Sequence, residues 1–197
     1  MAQVKQPMNN YFKARVYSIL AMVSFVPPAS VNAFDAEYFG SLLFNAQQRG
    51  EQLPDIYRIN AAVDEDALYD IQKAYIAARI SNGDEIGGYK GGFIPKAPVG
   101  GVIFGGQRVL QGSPSVNLND FSLLVVEAEI GFKFCQAITA PVVDITSLKK
   151  LVCEIMPVME IADGAIADFG EVKKDFTHLR NTLISINVAS SHTLIGV

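Results

Sequence analysis

The sequence predicts an α+β fold, with a helical N-terminal part followed by a β-rich part. Three observations carry that prediction. Residues 64–81 place apolar side chains at helical spacing, through Leu68, Ile71, Tyr75, Ile76 and Ala78. From Ile86 onward, glycine and proline punctuate short apolar runs of strand length. Two further runs, 121–134 and 158–163, set carboxylates among apolar residues, in the alternating manner of a strand.

Taken in order, the chain divides into segments 1–33, 34–85 and 86–197. The first carries Lys5, Lys13 and Arg15 with no acidic residue, then the apolar run Val16 to Val26, then Pro27 and Pro28. Ala29-Ser30-Val31-Asn32-Ala33 follows as a small-residue cleavage site. This is the three-part layout of a secretory signal peptide, and its apolar run is too short for a stable membrane anchor. Use of that leader places the mature chain in the periplasm or outside the cell; without it the chain stays in the cytoplasm.

Residues 34–50 predict a helix through Phe39, Leu42, Leu43 and Ala46 that stops at Gly50. A connector containing Pro54 leads to the clearest helix, 64–81, with Asp64 as its cap and Glu65 and Asp66 at its positive end. Val102 to Phe104 and Val109-Leu110 read as small strands, and 121–134 as a longer one. Thr146 is the expected cap of a helix through Val152, Pro157 is read as punctuation, and 158–163 as a further strand. Residues 170–180 are charged and are expected at the surface.

With 197 residues, half of them hydrophobic, the chain is long enough to bury one core. A net charge of −4 with scattered Lys and Arg gives no nucleic-acid footprint. Cys135 and Cys153 lie in apolar surroundings without metal-type spacing and are read as buried thiols; a disulfide requires an oxidising compartment and fitting geometry. Two histidines, His178 and His192, exclude a His-rich metal site. Any metal would be held by oxygen.

Within Val125-Val126-Glu127-Ala128-Glu129-Ile130, strand periodicity projects Glu127 and Glu129 from one face. Like charges side by side repel, and a hard divalent cation relieves them; a merely solvated sheet face gives the same pattern. Glu160 adds a third carboxylate on an apolar strand. Lys90, set between glycine pairs in Gly87-Gly88-Tyr89-Lys90-Gly91-Gly92, adds a cation able to meet an anionic ligand. The spacing is not that of a phosphate-binding loop.

The ordered set Gly88-Tyr89-Lys90-Gly91-Gly92, Pro98 to Phe104, Val126-Glu127-Ala128-Glu129-Ile130, Glu160-Ile161-Ala162-Asp163 and Asn187-Val188-Ala189-Ser190-Ser191 resembles the 2-keto-4-pentenoate hydratase family of the fumarylacetoacetate hydrolase superfamily. The resemblance runs from about Asp64 to the last residue. It implies a rolled mixed β-sheet, incomplete at its C-terminal end, with Glu127, Glu129 and Glu160 as ligands of Mg2+ or Mn2+. It further implies Lys90 as the catalytic residue, Ser190 and Ser191 beside the substrate, a small 2-oxo or 2-hydroxy-dienoic acid as substrate, and assembly into homo-oligomers. No nucleic acid is expected as partner.

The activity so implied is a hydro-lyase adding water to a 2-hydroxy-2,4-dienoate such as 2-hydroxypenta-2,4-dienoate, giving a 4-hydroxy-2-oxo acid. Departures from the family pattern stand beside the ligands. Ile94-Pro95 replaces Thr-Ser, Val99 replaces an acid, and Gly164-Ala165 replaces a Ser-Arg pair. A decarboxylase of 2-oxo-enoates and a hydrolase of acylpyruvates are alternatives on the same scaffold. A catalytically impaired, exported metal-binding or interaction protein is an alternative of a different class.

Overall fold

The computed structural model describes residues 34–60, 63–94, 97–106 and 109–196; the leader expected over 1–33 lies outside them. Helices come first: α1 (Ala36–Gln48), the short α2 (Ile56–Ile59) and α3 (Glu65–Ser81). Aspartate starts each of them. Asp35, Asp55 and Asp64 accept hydrogen bonds from the backbone N–H of Tyr38, Arg58 and Ala67, meeting donors that the first turn leaves unpaired. At Gly40 a Cβ would stand 2.6 Å from that of Ala74, so only glycine lets α1 lie this close to α3.

β1 (Ile86–Ile94) and β2 (Ala97–Phe104) form an antiparallel hairpin, so the glycine-rich run around Lys90 is strand rather than loop. β3 (Val109–Gln111), β4 (Leu124–Phe134), β5 (Val152–Asp163) and β6 (Ser190–Ile195) make a second sheet in the order β3-β6-β5-β4. Only β3 and β6 run parallel, which makes this sheet mixed. Between β4 and β5 lies α4 (Ile145–Leu151); α5 (Phe169–Val172) and α6 (Phe176–Ser185) precede β6.

Side chains from α1, α3 and α6 meet in one core with Ile56, Val99, Ile166 and Val172; Leu43, Leu68, Ile71 and Ile184 are wholly buried. Full burial of a side chain of this size contributes about 1.5–3 kcal/mol. Arg79 is buried beneath Phe104, its guanidinium 3.5 Å from the ring centroid, and its Nε donates to Asp84 at 2.6 Å. That cation ties α3 to the end of β2. No helix among the described residues is long and apolar enough to cross a membrane.

Four local expectations are corrected. Asp144, not Thr146, caps α4, accepting from the N–H and hydroxyl of Ser147. Pro157 lies inside β5 opposite Ile130 rather than ending a segment. Its carbonyl accepts from Gly196 N–H at 2.9 Å, so its missing N–H faces the place where β6 stops and forfeits only a terminal bond. Arg180, in the charged stretch, is buried, and both its terminal nitrogens donate to Glu65 at 2.8 Å. Cys135 and Cys153 are exposed and bonded to each other, with Cα atoms 5.3 Å apart, at the end of the β4–β5 hairpin.

Candidate functional site

The pairing of β4 with β5 sets Glu127 directly opposite Glu160 and Glu129 opposite Val158. Because strand side chains alternate, all three carboxylates stand on one face of the sheet. β6 continues the row with Thr193 opposite Glu160. Glu127 and Glu129 are open to solvent, whereas only 12% of the Glu160 side chain is exposed. Farther along the same face, Lys133 stands 3.5 Å from Glu154.

Lys90 reaches this face from β1, where it pairs with Gly101 of β2. Its ammonium forms an ion pair with Oε1 of Glu160 and donates to the carbonyl of Val188 at 2.9 Å. That carbonyl belongs to a turn in which Asn187, Val188 and Ala189 have φ of 56°, 53° and 54°. Left-handed backbone is unfavourable for any of these residues and most so for β-branched valine, at about 1–3 kcal/mol each.

The Asn187 amide holds the turn. It donates to the Val102 carbonyl at 2.9 Å and accepts from the Val102 N–H at 2.7 Å, fully buried. A Cβ on Gly101 would lie 2.7 Å from that same amide oxygen, so glycine opposite Lys90 is a steric requirement. Gln72 braces β2 from the helical side, donating to the carbonyls of Gly100 and Ile184. Buried amides on two elements thus fix where the Lys90 ammonium can sit.

A cavity of about 980 Å³ opens between β1 and the face of the second sheet. Lys90, Glu129, Glu160 and Thr193 are polar members of its wall, and Ile103, Met156 and Val158 are apolar ones. Glu127 is not part of the wall, and neither is Ser190 or Ser191. The Ser191 hydroxyl instead bonds Nδ1 of His192 at 2.9 Å. Neither histidine lines the cavity; His178 Nε2 bonds Oδ2 of Asp55 at 2.6 Å among the helices.

The donor set suits a hard cation in its chemistry, carboxylates only on one face of the sheet, with Glu129 and Glu160 beside the cavity. Their side chains do not converge, since among the described residues no group of three acidic, histidine or cysteine side chains is arranged to hold a metal. Glu160 is turned toward Lys90 instead. Lys133 is matched by Glu154 and Lys90 by Glu160, while among the described residues Glu127 and Glu129 make no salt bridge. The face therefore keeps an excess of negative charge. Thr193 and the Val188 carbonyl escape sequence reasoning, because the register of β6 against β5 sets Thr193 opposite Glu160 and the turn held on Val102 brings the Val188 carbonyl to Lys90.

No protein-family model matches this chain, and no curated protein is similar to it in sequence. Among solved structures it is similar to 4-oxalocrotonate decarboxylase from Pseudomonas putida G7 in complex with magnesium and adipate, with a TM-score of 0.70 and 14% identity over 82% of this chain. The same enzyme in complex with calcium and acetate gives a TM-score of 0.69 and 15% identity, again over 82% of this chain. This chain spans 62% and 61% of those two chains. At such identity the likeness is one of fold alone, an α+β arrangement of N-terminal helices followed by a mixed sheet.

Proposed function

We propose that this chain is a divalent-metal-dependent lyase of the hydratase type, adding water to a 2-hydroxy-2,4-dienoate such as 2-hydroxypenta-2,4-dienoate. The observation that carries the reading is the meeting of Lys90, Glu160 and Glu129 at one cavity, with Glu127 across the strand pair from Glu160. The solved decarboxylase was obtained with magnesium and adipate, which supports a small organic acid and a divalent cation in the corresponding fold. Glu127, Glu129 and Glu160 would hold Mg2+ or Mn2+. When bound, such an ion supplies Lewis-acid stabilisation of charge on the 2-oxygen of the substrate.

The remaining work falls to the protein's own groups. A dienoate ketonises by losing the proton of its 2-hydroxyl and gaining one at C5; water then adds at C4 while C3 takes a proton. Both steps change the charge at the 2-oxygen. Lys90, held at the cavity wall by the Val188 carbonyl, is placed to donate a hydrogen bond there and to carry a proton. Ile103, Met156 and Val158 give the hydrocarbon chain an apolar wall and keep bulk water from it. Thr193 Oγ1, beside Glu160, offers a hydroxyl that can position the added water.

A second reading, decarboxylation of a 2-oxo-enedioate, is favoured by the solved structures to which the fold is similar. Val99 bears on the choice: it is buried in the helical core, where the hydratase pattern has an acid. Both branches are tested by incubating the chain with Mg2+ or Mn2+ and either 2-hydroxypenta-2,4-dienoate or 4-oxalocrotonate. The hydratase reading expects a 4-hydroxy-2-oxo acid from the first substrate and no carbon dioxide from the second. Glu127→Gln and Glu160→Gln are each expected to lower the rate roughly 100-fold or more, the scale of several kcal/mol of charge stabilisation. Metal-dependent carbon dioxide release would select the second reading, and turnover unaffected by either substitution would sink both.

A further inference from the structure

We propose that Lys90 is a built-in counter-ion that competes with a divalent cation for Glu160, so that metal entry releases the ammonium toward the cavity. The inference rests on reading Glu127, Glu129 and Glu160 as a metal centre, and adds to it a cost and a consequence. Glu160 is the least exposed of the three carboxylates and the only one with an ion-pair partner among the described residues. A carboxylate that is almost wholly removed from water needs a cation at hand. Lys90, with 13% of its side chain exposed, supplies it.

The two bonds of the ammonium are not equivalent. Its bond to the Val188 carbonyl ends on backbone, in a turn fixed by Asn187 and Val102, and so stays when Glu160 moves. Its bond to Glu160 ends on a side chain with a free choice of partners, directly opposite Glu127. A divalent ion drawn to Glu127 and Glu129 competes for the same Glu160 oxygen. Two cations on one carboxylate repel, so Glu160 turns to the ion and Lys90 keeps only Val188. The released ammonium then faces the cavity with hydrogen-bond donors to spare, ready for the carboxylate of an acid ligand. Metal first and anion second becomes the favoured order.

Calorimetric titration with Mn2+ alone tests this on the wild type, Lys90→Met and Glu160→Gln. Removing a positive charge in direct contact with a ligand is expected to tighten Mn2+ binding roughly tenfold in Lys90→Met, whereas Glu160→Gln loosens it. Equal or weaker binding by Lys90→Met, with a wild type that binds, overturns the competition and leaves the metal centre standing. Failure of both the wild type and Lys90→Met to take up Mn2+ overturns the metal centre and the competition together. A readout on the unaltered chain guards against a misfolded variant: amine labelling of Lys90, followed by mass spectrometry, is expected to rise on Mn2+ addition while that of exposed Lys150 stays constant. Labelling of Lys90 that is unchanged or lower at saturating Mn2+ contradicts the release.

Discussion

In α1, α3 and α6 the large apolar side chains point into a common core, and Leu43, Leu68, Ile71 and Ile184 are wholly buried. In the β4–β5 hairpin, Ile130, Phe132 and Ile155 are each more than half exposed. These hairpin residues lie on the face opposite the carboxylates, with Phe132 paired to Ile155, and β4 is the outermost strand of its sheet. The helical layer is therefore held by burial. The hairpin is held by its ladder, its disulfide and the anchor of Glu160 on Lys90. Apolar burial and candidate chemistry therefore lie mainly in different parts of the chain, joined where Gln72 of α3 braces β2 beside Lys90.

The largest expected effect is in the core. Leu68→Ala should cost about 2–5 kcal/mol, since it deletes buried methyl groups and leaves a cavity between packed helices. Ile130→Ala should cost no more than about 0.5 kcal/mol, the usual range for a surface substitution. Urea unfolding of both variants checks the contrast. A loss at Ile130 comparable to that at Leu68 would mean that the apolar hairpin face is covered in solution, and the comparison would break.

Why the helical layer was legible and the site only half so follows from the range of the interactions. α3 is written locally: Asp64 to cap it, acids in its first turn and apolar residues on one face, all within 18 residues, and the structure starts it where the cap predicts. The common face of Glu127 and Glu129 is likewise local, because alternation along one strand fixes it. Placing Glu160 opposite Glu127 needed the register of two strands, which no window of sequence contains. Arg180 looked like surface because its neighbours are charged, yet its partner Glu65 lies 115 positions away. The cysteines misled for a related reason. Their apolar neighbours suggested burial, but those neighbours sit on a hairpin that stands open to solvent.

The disulfide gives the next effect in size. Cys135 and Cys153 are 18 positions apart, and in the chain-entropy account closing a loop of that size stabilises by roughly 3 kcal/mol. Because the bond sits at one end of the hairpin, its loss should appear there before it appears elsewhere. Hydrogen exchange of β4 and β5 amides is expected to quicken on reduction, while amides of α3 keep their protection. Equal loss of protection in both would show that the hairpin and the helical layer unfold as one unit.

The smallest effect concerns the polar clamp between α3 and α6, where Glu65 meets Arg180. The guanidinium beside Glu65 holds its carboxyl below the ordinary glutamate range, with burial opposing more weakly. A depressed folded value means that the unfolded chain takes up the proton first as pH falls. The pair's contribution is therefore complete above the ordinary glutamate range, and it is lost as pH drops through the lower, folded value. Half of the Glu65 side chain is exposed, so solvent and salt screen the pair, and its worth is at most about 1 kcal/mol. Glu65→Gln should accordingly unfold slightly more easily than the wild type at neutral pH. The two should converge in acid, where the wild-type carboxyl is also neutral, and in high salt. A gap between them that persists in acid would assign the effect of Glu65 to packing on α6 rather than to charge, and would place this clamp with the buried core instead of the electrostatic surface.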